Sequence, residues 1–172
     1  MSLELTSNPS PEDEIKVVDG IRSFNRLHMP SDVEPLCVFD RIENGEIIAG
    51  LAGKTYWNYL EVSFLWVAES HRHQGRASAM MKAAEEEALR RGCRNILLDT
   101  YSFQALDFYE KLVFSKFGTL SDFSGEQTRY FLHKELQPAA GELDSTLFSE
   151  DLVATRRRIL RFDENENPVH PQ

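Results

Sequence analysis

Residues 71–81, HRHQGRASAMM, join a basic, polar stretch around Gly75 to a run of small and apolar residues. From Ala77 onward the apolar positions are Ala77, Met80, Met81, Ala84 and Ala88. That is the i, i+3, i+4, i+7 spacing of one helical face. Lys82, Glu85, Glu86, Arg90 and Arg91 fall on the other side, and Gly92 stands where a left-handed cap needs no Cβ. The spacing predicts a helix from about Gly75 to Arg91, so its first free backbone N–H groups belong to RHQGRA. Before it, YLEVSFLWVAES is rich in β-branched and aromatic residues and reads as a largely buried strand. A strand, a glycine turn and a helix start aim N–H donors and the positive end of the helix dipole at one point. The chemistry of that point is anion binding, typically of a phosphate. The plain alternative is an ordinary strand-to-helix turn containing a glycine. The segment lacks the GKS or GKT of a Walker loop and is not GxGxxG.

The remaining elements follow from patterning. LELT (3–6) reads as a short first strand. Ser10-Pro11-Glu12-Asp13 is a helix start with an N-cap serine, proline at the first position and acids in the first turn. Ile15, Val18, Ile21 and Phe24 supply its expected buried stripe. Leu36–Ile42 and Ile47–Tyr56 read as strands joined by a turn at Glu43-Asn44-Gly45-Glu46. Trp57-Asn58 turns the chain into the strand Tyr59–Val67. After the Gly75 helix come a strand at Asn95–Thr100, a short helix at Gln104–Leu112, and closing strands at Phe114–Leu120 and Thr128–Leu136. An antiparallel meander leading into a β-α-β-α unit implies a mixed α/β sheet with helices on its faces. The expected organisation is one domain over 1–136, a linker at 137–148, a C-terminal helix at 149–162 and a disordered tail at 163–172. The C-terminal stripe Leu152, Val153, Ile159 and Leu160 is expected to dock on the domain or on a second subunit.

Composition narrows the partners. The chain has 172 residues, a hydrophobic share of 41% and a charged share of 27%, ordinary for a soluble globular protein. No apolar run approaches a membrane span, and MSLELTSNPS does not read as a signal peptide. Cys37 and Cys93 form no disulfide framework and fit a reducing, cytoplasmic setting. A net charge of −9 argues against nucleic acid and favours cationic ligands. His71-x-His73 offers two ligand types for a metal but no third at a suitable spacing, so no metal is expected.

The strand LEVSFLWVAES, the turn RHQGRA, the strand NILLDT and the helix ending FYEKLVF resemble the GCN5-related N-acetyltransferase (GNAT) superfamily. The turn matches Arg/Gln-x-x-Gly-x-Gly/Ala through Arg72, Gly75 and Ala77. A second block, Ala-x-x-x-Tyr-x-x-x-Gly-Phe, is met by Ala105, Tyr109 and Phe114. The resemblance covers roughly residues 10–136. It implies a central, mostly antiparallel sheet with a splayed parallel β-α-β-α unit and flanking helices, and an acetyl-CoA site. Arg72, His73, Gln74, Gly75, Arg76, Ala77 and Ser78 inherit the pyrophosphate-binding role. Leu65, Trp66 and Val67 inherit the backbone contacts to the pantetheine arm. Three positions depart from the pattern. Arg76 replaces an aliphatic or aromatic residue and either adds a phosphate contact or points to solvent. Ser102 stands where Asn is frequent. Val113 replaces the usual Gly, where positive φ would strain a β-branched residue, so a locally rebuilt cap is expected.

Acyl transfer to an amine carries a protonation requirement. An alkyl amine of pKa about 10.4 is roughly 99.9% ammonium at pH 7, and deprotonating it costs about 4.6 kcal/mol. A base must take that proton, directly or through water. A phenol can donate to the departing sulfur and otherwise stay neutral. The resemblance gives Tyr109 the role of general acid; the alternative is an aromatic that packs its helix onto the sheet. Glu61 stands eleven residues before Arg72, the offset of the catalytic glutamate in the histone-acetylating branch. Its alternative is a solvated strand carboxylate, and Glu69 or a water chain are rivals for the base. Trp57, Trp66 and Phe103 are core or pocket walls. Asp99 and Gln104 either orient substrate or hydrogen-bond within the fold. The expected function is acetyl-CoA-dependent N-acetylation of a small-molecule primary amine by direct attack. Acetylation of a protein or peptide, and a non-catalytic acyl-CoA sensor, are the alternatives; a homodimer is compatible with the sequence.

Overall fold

The computed structural model describes residues 2–137. Its elements run α1 (Pro11–Asn25), β1 (Glu34–Arg41), β2 (Ile47–Tyr56), β3 (Tyr59–Val67), a 3-10 turn (Glu69–His71), α2 (Arg76–Arg90), β4 (Asn95–Tyr101), α3 (Leu106–Lys111), β5 (Ser115–Ser124) and β6 (Gln127–Glu135). The six strands form one sheet in the order β1-β2-β3-β4-β6-β5. Every neighbouring pair is antiparallel except β3 and β4. This is the mixed sheet the pattern called for. The linker, C-terminal helix, tail and docking expected beyond residue 137 lie outside the described residues.

The core lies between the sheet and α2. Met80, Met81, Ala84 and Ala88 bury the apolar face of α2 against Leu36, Leu51, Leu60, Val62, Ile96 and Leu98. Small residues at Ala84 and Ala88 let the helix approach the strands closely. Tyr109 of α3 and Leu132 of β6 join the same cluster. Lys134, across the strand pairing from Ile96, reaches Glu85 of α2 at 2.7 Å.

The parallel pairing of β3 and β4 covers three residue pairs and stops at Glu61↔Leu97. Beyond it β3 stays on β2 as far as Ala49↔Val67, while β4 stays on β6 as far as Tyr101↔Arg129. The sheet therefore forks. A bulge sits just past the point of the fork: Gly53 faces Val62 and Ala52 faces Phe64, leaving Ser63 as the extra residue. Gly53 is what allows it, because a Cβ there would lie 2.4 Å from the Glu61 carbonyl oxygen. Bulges add local twist, which carries the far half of β3 away from β4.

Two expectations are corrected. LELT forms no strand; Leu3 and Leu5 are fully in solvent. The stripe of α1 is not buried: Ile15, Val18, Ile21 and Phe24 are 40–58% exposed. The helix itself is well specified, with the Ser10 hydroxyl accepting from the Asp13 N–H and Pro11 at its first position. Periodicity shows that one face is apolar; it does not supply an element to cover it.

The cap after α3 is kept rather than rebuilt. Val113 has φ 67°. The Phe114 N–H donates to the Tyr109 carbonyl and the Val113 N–H to the Glu110 carbonyl, both at 3.0 Å. Those are the two bonds of a Schellman cap, and its usual apolar contact is the Tyr109–Phe114 ring pair at 5.8 Å. A β-branched residue thus holds the left-handed position. Val113→Gly is expected to stabilise the protein by about 1 kcal/mol, the relieved strain less the added chain entropy. Gly53→Ala is expected to destabilise it by about 1–3 kcal/mol, since backbone must move to admit the methyl. Urea denaturation of the two variants checks both signs.

Candidate active site

The turn ahead of α2 has the geometry of an anion cradle. Gly75 is the N-cap at φ 76°, with no side-chain cap on the helix. His73 is also left-handed, at φ 60°. Alternation into that region turns successive N–H groups toward one concave side. The N–H groups of Arg76, Ala77 and Ser78 begin the helix and lack a partner one turn back. A Cβ on Gly75 would meet nothing within 4 Å beyond its own chain neighbours, so the space beside it is open.

Side chains brace the turn from behind. Arg72 Nε donates to the Val67 carbonyl at 3.2 Å, tying the turn to the end of β3. Gln74 Nε2 donates to the Ser70 carbonyl at 3.4 Å. Arg76 pairs its guanidinium with Asp40 of β1 and donates from Nε to Gln74 Oε1. Of the two readings of Arg76, neither describes its side chain: it points at β1, and the residue faces the cradle through its N–H. His71 Nδ1 contacts the Ser70 hydroxyl at 2.9 Å. Among the described residues no three His, Cys, Asp or Glu side chains gather as a metal site.

From this turn the fork runs back along Val67, Trp66 and Leu65 to its closed end at Glu61 and Leu97. Glu61 lies on the face away from α2. Its Oε2 accepts from the Tyr56 hydroxyl at 3.0 Å, and its Oε1 lies 3.4 Å from Lys54 Nζ. Burial and the hydrogen bond to Glu61 push the Tyr56 phenol up to about 12. Tyr109 lies on the α2 side, so the fold places the two catalytic candidates on opposite faces of the sheet. Burial, then the negative charge of Asp99, pushes the Tyr109 phenol up to about 12. Its hydroxyl has no hydrogen-bond partner among the described residues. Tyr109 as a whole is buried, at 8% exposure. Glu69 is exposed in the 3-10 turn, eight residues along from Glu61, or roughly 25 Å at strand rise. It stands at the cradle, not at the closed end.

Three further residues are placed by the structure. Ser102 donates to Gln127 Oε1 at 2.7 Å and accepts from the Thr128 N–H, which commits its hydroxyl to holding β4 on β6. Gln104 Oε1 accepts from Thr100 Oγ1 and the Tyr101 N–H, a structural role. Asp99 pairs with Arg129 at 2.7 Å. Sequence reasoning missed Lys54 and Tyr56 as partners of Glu61. The signal was present: a two-residue hairpin at Trp57-Asn58 sets 54 opposite 61. Trp57, Trp66 and Phe103 are exposed, not core.

The sheet thus forks at its one parallel strand pair, with an anion cradle at the open end. The family model described as acetyltransferase (GNAT) family matches residues 4–114. The chain is 33% identical over 135 residues to the acetyltransferase Atu2258 of Agrobacterium fabrum, covering 78% of this chain and 98% of that protein. It is 34% identical over 95 residues to the blasticidin-S acetyltransferase of Streptomyces morookaense, covering 55% of this chain and 70% of that one. The crystal structure of an acetyltransferase from Bacillus cereus matches with TM-score 0.69 and 30% identity over 77% of this chain and 98% of that one. The chain belongs to the GNAT acetyltransferase family and is an N-acetyltransferase.

An open cradle predicts a ligand response. Acetyl-CoA, which carries a pyrophosphate, is expected to stabilise the protein by about 2.7 kcal/mol at a hundredfold excess over Kd. Gly75→Val is expected to abolish the shift, because it disfavours φ 76° and fills the open space. Thermal unfolding with and without acetyl-CoA measures the difference in each protein.

Proposed function

We propose that the enzyme transfers the acetyl group of acetyl-CoA to the primary amine of a small molecule by direct attack. One observation carries the reading: a fork whose open end is an anion cradle and whose closed end holds the Glu61 carboxylate, with the Tyr109 phenol in the core on the other face of the sheet. The blasticidin-S acetyltransferase among the relatives is named for a small molecule, which supports that acceptor class. Acetyl-CoA supplies an activated acetyl group as a thioester. The cradle at Arg72–Ser78 holds its pyrophosphate, and the inner edge of β3 along Leu65, Trp66 and Val67, where the Val67 carbonyl already accepts from Arg72, offers strand-like hydrogen bonds to its pantetheine amides.

The residues at the closed end handle the protons. Glu61 accepts one from the incoming ammonium, directly or through one water. Each of its oxygens has one partner, Tyr56 or Lys54, and keeps a further lone pair for the proton. Tyr109 donates its hydroxyl proton to the departing sulfur as the C–S bond breaks, and the second proton lost by the attacking nitrogen returns to the phenolate through water. The phenol's raised pKa of about 12 keeps it protonated over the range in which enzymes work.

Tyr109→Phe keeps the packing and Glu61→Gln keeps the shape. Each is expected to lower turnover by about 10²–10⁴, the usual worth of a general acid or base, with acetyl-CoA affinity little changed. Thiol release from acetyl-CoA across a panel of amines and a lysine peptide reads both. If Glu61→Gln keeps wild-type turnover, a water chain is the base. In the wild type no loss of rate from ionised Tyr109 is expected below about pH 10.

A further inference from the structure

Ion pairs strap α2 to β1 at both of its ends. At the far end Arg91 donates to the Pro35 carbonyl and to Thr55 Oγ1 of β2, both at 3.1 Å, and lies 3.6 Å from Glu34. At the near end, beside the cradle, Arg76 pairs with Asp40. Strand alternation puts Asp40 there. Leu36 is buried in the α2 core, Val38 packs against that core, and Asp40 is the next residue on the same face. It is also the last β1 residue in regular register, since Asp40 faces Ala49 while Arg41 faces Ile47.

The near strap reaches the cradle itself. Arg76 Nε donates to Gln74 Oε1 at 3.3 Å, and Gln74 Nε2 donates to the Ser70 carbonyl at 3.4 Å. A line of contacts therefore runs from Asp40 across the turn to the 3-10 segment. The turn needs such support. It holds two left-handed residues, His73 and Gly75, of which His73 is strained there, and no side chain caps the helix. Arg72 grips the turn from β3 through the Val67 carbonyl, and Asp40 anchors it from the β1 side. The Asp40 and Arg76 side chains are 34% and 28% exposed, so salt screens the pair less than it would a pair in open solvent. Charge alone argues against a carboxylate in this place. Beside a helix N-terminus it stabilises the empty helix and repels an incoming phosphate. Arg76 neutralises it, and what the pair adds is fixed geometry.

We infer that Asp40 is a positioning residue for the cofactor: through Arg76 it holds the turn in the shape that receives the pyrophosphate. The inference rests on the reading of the turn as the acetyl-CoA cradle and adds a residue of β1, outside that turn, to what sets its affinity.

Calorimetric titration with acetyl-CoA and steady-state thiol release compare the wild type with Asp40→Ala, Asp40→Glu, Arg76→Met and the Asp40→Ala/Arg76→Met double variant. Asp40→Ala is expected to weaken acetyl-CoA binding and raise its KM by about five- to tenfold, with kcat at saturating acetyl-CoA little changed. The sign is diagnostic, because removing a carboxylate beside an anion site otherwise tightens binding. Asp40→Glu keeps the charge and is expected to recover most of the affinity. The double variant is expected to lose no more than Arg76→Met alone, since the two side chains act as one link. Arg91 and the α2 core keep the helix docked, so the change is local. The Ala79 N–H, which donates to the Gly75 carbonyl at 3.0 Å, is expected to exchange faster in Asp40→Ala while β4 is unaffected. Asp40→Asn, which keeps the size and an acceptor oxygen, carries the same comparison should Asp40→Ala not fold. Tighter or unchanged binding in the Asp40 variants, additive losses in the double variant, or a loss in kcat alone overturns the inference and leaves the cradle standing. Absence of acetyl-CoA binding by the wild type overturns the cradle reading. The Ala79 exchange then decides the brace by itself: faster exchange supports it and unchanged exchange overturns it.

Discussion

The fork depends on two strand edges left without partners in the middle of a sheet. Past Glu61 and Leu97, β3 is bonded only to β2 and β4 only to β6. Inner backbone donors and acceptors that would elsewhere close a ladder face each other across a gap. Such edges are usually hidden or paired because they invite another chain. Here they lie inside the sheet, where only something as narrow as an extended chain can enter and add itself as a strand would. The bulge at Ser63 and the missing Cβ of Gly53 keep the edges apart. The α2 core holds both half-sheets, so the gap cannot close without unpacking Val62 and Leu98.

The electrostatic plan follows from the same opening. Positive character at the open end comes from helix N–H groups and from Arg72, which keeps its charge while donating to the neutral Val67 carbonyl; Arg76 is spent on Asp40. Backbone dipoles need no reorganisation when an anion arrives, and they do not add net positive charge near the amine. A protein of net charge −9 can therefore hold a pyrophosphate at one end of the fork while its overall field attracts a cation to the other.

Much of this was legible because it is local. Period 3.6 over Ala77–Ala88 set the axis and buried face of α2, and Gly75 and Gly92 marked its ends to within a residue. Strands β2 and β3 fell at their expected bounds because the hairpin at Trp57-Asn58 fixes their register. The ion pairs flanking the fork were less legible because their partners are remote. The pairs Asp40–Arg76 and Asp99–Arg129 join residues more than twenty-five positions apart, and no periodicity links them. Gly53 stood in a strand pattern without being read as the bulge signal it is. The stripe of α1 shows the opposite failure: a correct local pattern with no partner among the described residues.

Val113 connects the strained cap to the chemistry. The Schellman turn it completes places Phe114 against Tyr109 and ends α3 after six residues. A helix this short draws no stability from its own length, so its side chains are held by the cap and the core. Phe114 is buried, and the Lys134 ammonium sits 5.6 Å from its ring centroid. Lys134 is in turn anchored to Glu85 of α2. The phenol of Tyr109 is thus positioned through a chain of contacts that ends in the same helix whose N-terminus forms the cradle. One rigid element, α2, sets both the cradle and, through Glu85 and Lys134, the packing behind Tyr109. A strained valine is tolerable there because the contacts on either side of it are already fixed.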